Sequence, residues 1–202
     1  MSKTCYRTVF LGVLLSLGTT TALRAGPVLT LTPTGALSGA PGDTVGWGFQ
    51  ITNDANYIEI TSASFCLSPV SFPACTLPTT GVFTDFISGY NDIIVGFPGG
   101  TDPATVGQSF NPTAFTGIGS FAIDAGAPIG AADVGAIVLT YDVFDADPND
   151  PGANKLATDQ VLTADSSVEV ASSTPEPATF GIFGLGLAGL AAVGRRGRRG
   201  NL

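Results

Sequence analysis

From residue 28 to residue 170 the apolar side chains of this sequence recur at every second position, and nowhere with a sustained helical period. Val45, Trp47, Phe49 and Ile51 share one face of a run from Thr44 to Thr52, and Ile58 and Ile60 alternate with Glu59 and Thr61. Gly117, Gly119, Phe121 and Ile123 repeat the pattern, as do Ile137, Leu139, Tyr141 and Val143, and finally Leu162, Ala164, Ser166, Val168 and Val170. Successive side chains of an extended chain point to opposite faces, so period two gives a strand one buried face, whereas a helix needs apolar residues three and four apart. Turn-forming clusters separate the runs: Gly39-Ala40-Pro41-Gly42-Asp43, Thr52-Asn53-Asp54 and Phe97-Pro98-Gly99-Gly100. Seven to nine short strands with no helices between them predict an all-β fold, an antiparallel immunoglobulin-like β-sandwich.

The span that carries this pattern, residues 26–173, is long enough for one domain with its own core. Trp47 alternates with Val45 and Phe49, which places it in that core, and the 13 Phe residues are read the same way. Cys66 and Cys75 lie ten positions apart inclusively, and this even pair is expected to close as a disulfide if the body is exported, as the ends of the chain indicate below.

Charge divides the chain differently. Lys3, Arg7 and Arg24 stand at one end and Arg195, Arg196, Arg198 and Arg199 at the other, leaving Lys155 as the one basic residue between Gly26 and Thr174. That middle carries 15 acidic residues, a net of −14. Ahead of it, Lys3 and Arg7 precede the apolar run Val9 to Leu17 and the small residues up to Ala25, the three parts of a secretory signal peptide over residues 1–25. Cys5 would leave with that segment. Behind it, residues 178–194 are uncharged and mostly apolar and end on the Arg cluster of residues 195–199. Seventeen residues make a helix of roughly 26 Å, enough for a thin bilayer, so one C-terminal transmembrane helix is expected. Basic residues stay on the cytoplasmic side. The body is therefore expected outside the inner membrane, delivered by the secretion machinery and anchored by its tail.

Thr174-Pro175-Glu176-Pro177, the Gly, Leu and Ala-rich span opening at Ala178-Thr179, and the terminal Arg-Arg-Gly-Arg-Arg cluster together resemble a PEP-CTERM sorting signal over residues 174–202. The resemblance implies recognition of Pro175, Glu176 and Pro177 by an exosortase, a membrane-embedded sorting enzyme, and deployment at the cell surface or in an extracellular matrix with exopolysaccharide. Two prolines that hold the chain extended and remove backbone donors suit a segment to be gripped by such an enzyme.

Composition narrows the chemistry of the body. With no His, the chain has no Ser-His-Asp or Cys-His apparatus and no His-ligated zinc. Its acidity argues against nucleic acid as a partner. Asp145, Asp147 and Asn149 match the first three ligands of a calcium loop, with Asp150 beside them and Asp142 and Asp159 near. Asp150 then stands where the loop needs Gly, and Leu156 where it needs Glu, so an EF-hand is excluded and the choice is between a looser calcium site and a solvated turn. The sequence supports a non-enzymatic surface protein first, a calcium-dependent or carbohydrate-binding adhesive module second, and a carboxylate-only hydrolase last, since nothing selects the pair of carboxylates a hydrolase requires.

Overall fold

The structure, a computed structural model, describes residues 26–90 and 92–172. The expected signal peptide (1–25), the transmembrane span (178–194), Pro175, Glu176, Pro177 and the Arg cluster lie outside the described residues. Among the described residues no helix is long and apolar enough to cross a membrane.

Ten strands and one helical turn follow in order: β1 (Val28–Thr32), β2 (Ala36–Gly39), β3 (Thr44–Thr52), β4 (Tyr57–Leu67), β5 (Gly81–Asp85), α1 (Ile87–Tyr90), β6 (Ile93–Val95), β7 (Thr105–Gln108), β8 (Gly119–Ile123), β9 (Ala132–Phe144) and β10 (Lys155–Val170). They form two sheets, one ordered β1-β3-β8-β5 with β7 also paired to β3, the other β2-β10-β9-β4-β6. The inward residues of both sheets meet in one core, where Trp47 of β3, Phe65 of β4 and Phe121 of β8 are all but inaccessible. The Trp47 and Phe65 rings are 5.4 Å apart and those of Phe65 and Phe121 5.7 Å apart, so aromatic contacts join the sheets. Trp47 also donates its Nε1 proton to the Gly35 carbonyl at 3.0 Å.

Two expectations are corrected. The strands number ten among the described residues, because β2, β6 and β7 hold only three or four residues each, too few for alternation to show in sequence. The sandwich is also not wholly antiparallel: β2 runs parallel to β10. The chain leaves β1 after Thr32 and continues in β2 on the opposite sheet. Val168 and Val170, expected to face inward, do so at the end of β10, whereas the first half of that strand is largely exposed.

The Cys66–Cys75 disulfide is formed, with Cα atoms 5.1 Å apart. It ties the Pro-interrupted excursion after β4 back to the sheet. A second tie follows. Asp133 at the start of β9, 2% exposed, accepts hydrogen bonds from Thr79 N, Thr79 Oγ1, Thr80 N and Thr80 Oγ1 at 2.8–2.9 Å.

Candidate functional site

One end of the sandwich gathers the β3–β4 turn, the loop from Gly96 to Ala104, and the β9–β10 loop. The buried Asn53 joins the first two: its Nδ2 donates to the carbonyls of Asn56 (2.7 Å) and Gly96 (2.9 Å), and its backbone N to Ala104 O (2.9 Å). Tyr57 packs edge-on against Phe97 at 5.3 Å, and its hydroxyl accepts from Thr101 N at 2.9 Å. These contacts fix Asp102, which sequence reading did not single out. Its Oδ2 is buried with no hydrogen-bond partner among the described residues. Burial, then the charge and hydrogen bond of Asp147, then the charge of Asp150, push its carboxyl above the usual range.

The predicted calcium residues are distributed across this end by their own turn. Asp145 accepts from Asn154 N at 2.7 Å and from Asn154 Nδ2 at 2.9 Å, and these bonds hold its carboxyl below the usual range. Asp147 Oδ1 accepts from Asn149 N at 2.9 Å, an Asx turn. Asp150 N donates to the Asp147 carbonyl. Asp142 is taken up elsewhere, by Lys155 Nζ and by Asp159 N. Burial alone would raise its carboxyl, but the Lys155 hydrogen bond, the Asp159 amide and the Lys155 charge together hold it below the usual range. So Asp145 is spent within the loop, Asp147 and Asp150 approach Asp102, and Asn149 contributes its backbone. Among the described residues, no group of three or more His, Cys, Asp or Glu side chains is arranged to hold a metal ion.

A second locus lies where α1 crosses the open edge between the sheets. Asp85 starts the turn: its Oδ1 accepts from Ile87 N at 2.7 Å, and its Oδ2 accepts from Ala63 N of β4 at 3.2 Å. Ile87 enters the core and Tyr90 is left 61% exposed. Across from it, Asn111 Oδ1 accepts from Thr113 N and Ala114 N, and Asn111 and Thr116 exchange backbone bonds, which closes a tight loop. That loop presents Phe115 at φ 52°, 40% exposed. The Tyr90 and Phe115 rings stack at 4.4 Å and 10°, standing edge-on to the buried Phe86. Reading every Phe as core is therefore corrected. Phe115 sits beside a turn that Asn111-Pro112 dictates, and Phe72 (44% exposed) lies in the disulfide loop, where no strand alternation applies.

Residues 173–199 match the PEP-CTERM protein-sorting motif, as the residues around Pro175-Glu176-Pro177 implied. The motif marks an exported protein with a membrane-anchored tail that an exosortase processes. No curated protein matches the chain by sequence. Among solved structures, a PapD-like domain of human CEP192 is similar at 9% identity and a TM-score of 0.32, covering 84% of this chain and all of that one. The sixth cohesin of Acetivibrio cellulolyticus scaffoldin B follows at 13% identity and 0.28, with 72% and 99% covered, and CaCohA2 of Clostridium acetobutylicum at 17% and 0.26, with 75% and 95% covered. At such scores these likenesses carry no argument, and the sandwich stands on its own strand pairing.

Proposed function

We propose that this chain is a non-enzymatic protein displayed at the cell surface or in an extracellular matrix rich in exopolysaccharide, whose immunoglobulin-like body is the working part and whose tail serves delivery. The observation that carries the reading is the sorting motif at residues 173–199 behind a disulfide-closed, acidic sandwich. A disulfide suits an oxidising compartment outside the cytoplasm. The absence of His from the sequence removes the commonest acid-base and nucleophilic machinery. The test is the mature C-terminus, read by mass spectrometry from cells with and without the sorting enzyme. Loss of the Arg198-Arg199 end only in cells that have the enzyme supports the reading; an intact end in both makes the tail a plain anchor.

A second reading, a calcium-dependent adhesive module, is favoured by the buried Oδ2 of Asp102, which has no hydrogen-bond partner among the described residues, and by the charges of Asp147 and Asp150 near that carboxyl. These side chains do not by themselves form a metal-holding group, so a calcium ion here would take most of its shell from backbone carbonyls and water. Calcium titration of the purified protein, followed by calorimetry, tests it: no heat and no change in melting temperature dismisses the site.

A further inference from the structure

An open groove of about 470 Å³ runs beside α1, lined by Glu59, Thr61, Ser88, Tyr90 and Asp92 among others. Its size falls within the range of small-ligand sites, roughly 300–1,000 Å³. Tyr90, which lines the groove, stacks on Phe115. Phe115 covers one face of the Tyr90 ring, which is still 61% exposed. Three features hold the ring there: the Asp85 cap on α1, the stacked Phe115, and the buried Phe86 beneath both. A large aromatic ring standing mostly in water, backed by other rings and flanked by two carboxylates and two hydroxyls, is a poor core fragment and a good platform.

We infer that this groove binds a neutral hexopyranose chain, one sugar ring lying on the exposed face of Tyr90. The chemistry of the lining selects that class. A pyranose has an apolar C–H face, whose weakly positive hydrogens meet the negative face of an aromatic ring. Its equatorial rim carries hydroxyls, which donate to carboxylates such as Glu59 and Asp92 and exchange hydrogen bonds with Ser88 and Thr61. Asp92 precedes β6 and Glu59 lies in β4 opposite Ile94, so the paired strands bring both carboxylates to one groove. The same two carboxylates, in a body of net −14, repel a uronate or sulfated chain and leave neutral sugars as the class accepted. The inference rests on the reading of the body as a non-catalytic binding module and gives that module its ligand.

The experiment uses the full-length protein, purified in detergent, titrated calorimetrically with cellohexaose, maltohexaose, mannohexaose and an alginate hexamer. At least one neutral hexasaccharide should bind and the alginate should not. Tyr90→Ala should weaken binding at least tenfold and Glu59→Gln several-fold, with circular dichroism and melting temperature unchanged; Tyr90→Phe, which keeps the ring, should restore most of it. The inference is overturned if none of the three neutral hexasaccharides binds to folded protein, if Tyr90→Ala binds as well as the wild type, or if alginate is preferred. It is likewise overturned if the wild type sediments as a dimer that Tyr90→Ala converts to monomer, for the ring pair is then a contact between copies. Hexasaccharides recovered after incubation are also sized: shortened chains would overturn the non-catalytic reading and leave the site, whereas intact but unbound chains overturn the site alone.

Discussion

Asp133 is where a single substitution should tell most about how this body holds together. Its carboxylate is buried at the start of β9 and receives four hydrogen bonds from two consecutive threonines. Thr79 is exposed and Thr80 buried. Removing the carboxylate therefore lets water reach the Thr79 donors but strands the Thr80 amide and hydroxyl. Each buried donor left unpaired costs about 1–3 kcal/mol, so Asp133→Ala should destabilise by about 4 kcal/mol, a large share of a stability of about 5–15 kcal/mol. Asp133→Asn keeps an oxygen near the three donors that meet Oδ2, and should lose about 1–2 kcal/mol as charge-assisted bonds become neutral ones. The pH dependence separates the variants further. Burial alone would raise the Asp133 carboxyl, but the bonds from Thr80 and then Thr79 outweigh it and hold the folded value below the ordinary one. A carboxyl depressed on folding binds its proton more tightly when unfolded. Its contribution is thus complete above the unfolded value of about 3.9 and is lost as pH falls through the lower folded value. Urea unfolding at pH 7 and pH 3 provides the assay: the wild type should lose more stability on acidification than Asp133→Asn. If Asp133→Ala unfolds within 0.5 kcal/mol of the wild type at pH 7, or if Asp133→Asn keeps the whole acid slope, the clamp is not what ties this segment down.

Other substitutions probe separate parts of the frame. Reduction of Cys66–Cys75, or its replacement by two serines, should cost about 2.5 kcal/mol from the reopened ten-residue loop, measured as a lower urea midpoint with the secondary structure retained. Lys155→Met removes the partner of the largely buried Asp142, but Lys155 is 44% exposed and water takes over part of its role. The variant should be less stable at pH 7, and the deficit should shrink as pH falls through the depressed folded value of Asp142, measured as urea midpoints across that range. Gly135→Ala should cost at least about 2 kcal/mol, because a Cβ there would run into the Cys66 carbonyl across the β4–β9 pair; thermal melts read it directly.

How far the sequence foretold this structure depended on length and burial. β3, β8 and the end of β10 each keep an inward face, and their alternation reads straight through to Trp47, Phe121 and Val168 in the core. β9 is buried on both faces from Ala136 to Thr140, so alternation understates it, since a central strand has no polar side to display. The groove at Tyr90 had no sequence signal at all. It is assembled from β4, α1 and the segment before β6, and its platform depends on Phe115, forty positions or more from Glu59 and held by a turn at Asn111. The Asp-rich loop was visible as composition, yet Asp102 was not, because only the folding of the 96–104 loop against Asn53 places it beside Asp147.

That meeting of Asp102, Asp147 and Asp150 sets repulsion against any cation that enters, and the two give opposite results for one substitution. Without calcium, Asp102→Asn removes a like charge and a buried oxygen that has no donor among the described residues, so the variant should melt at a higher temperature than the wild type. If a cation binds there, millimolar calcium should raise the wild-type melting temperature, since a ligand that prefers the folded state stabilises it by mass action. The variant, with one ligand fewer, should then gain little, and the order of the two melting temperatures should narrow or reverse. Differential scanning fluorimetry with calcium and with a chelator gives the four values needed. A wild type insensitive to calcium, combined with a more stable Asp102→Asn, would mean that the acidic end is simply strained and holds no calcium. A destabilised Asp102→Asn in chelator would refute the repulsion itself and require a partner for that carboxylate among groups outside the described residues.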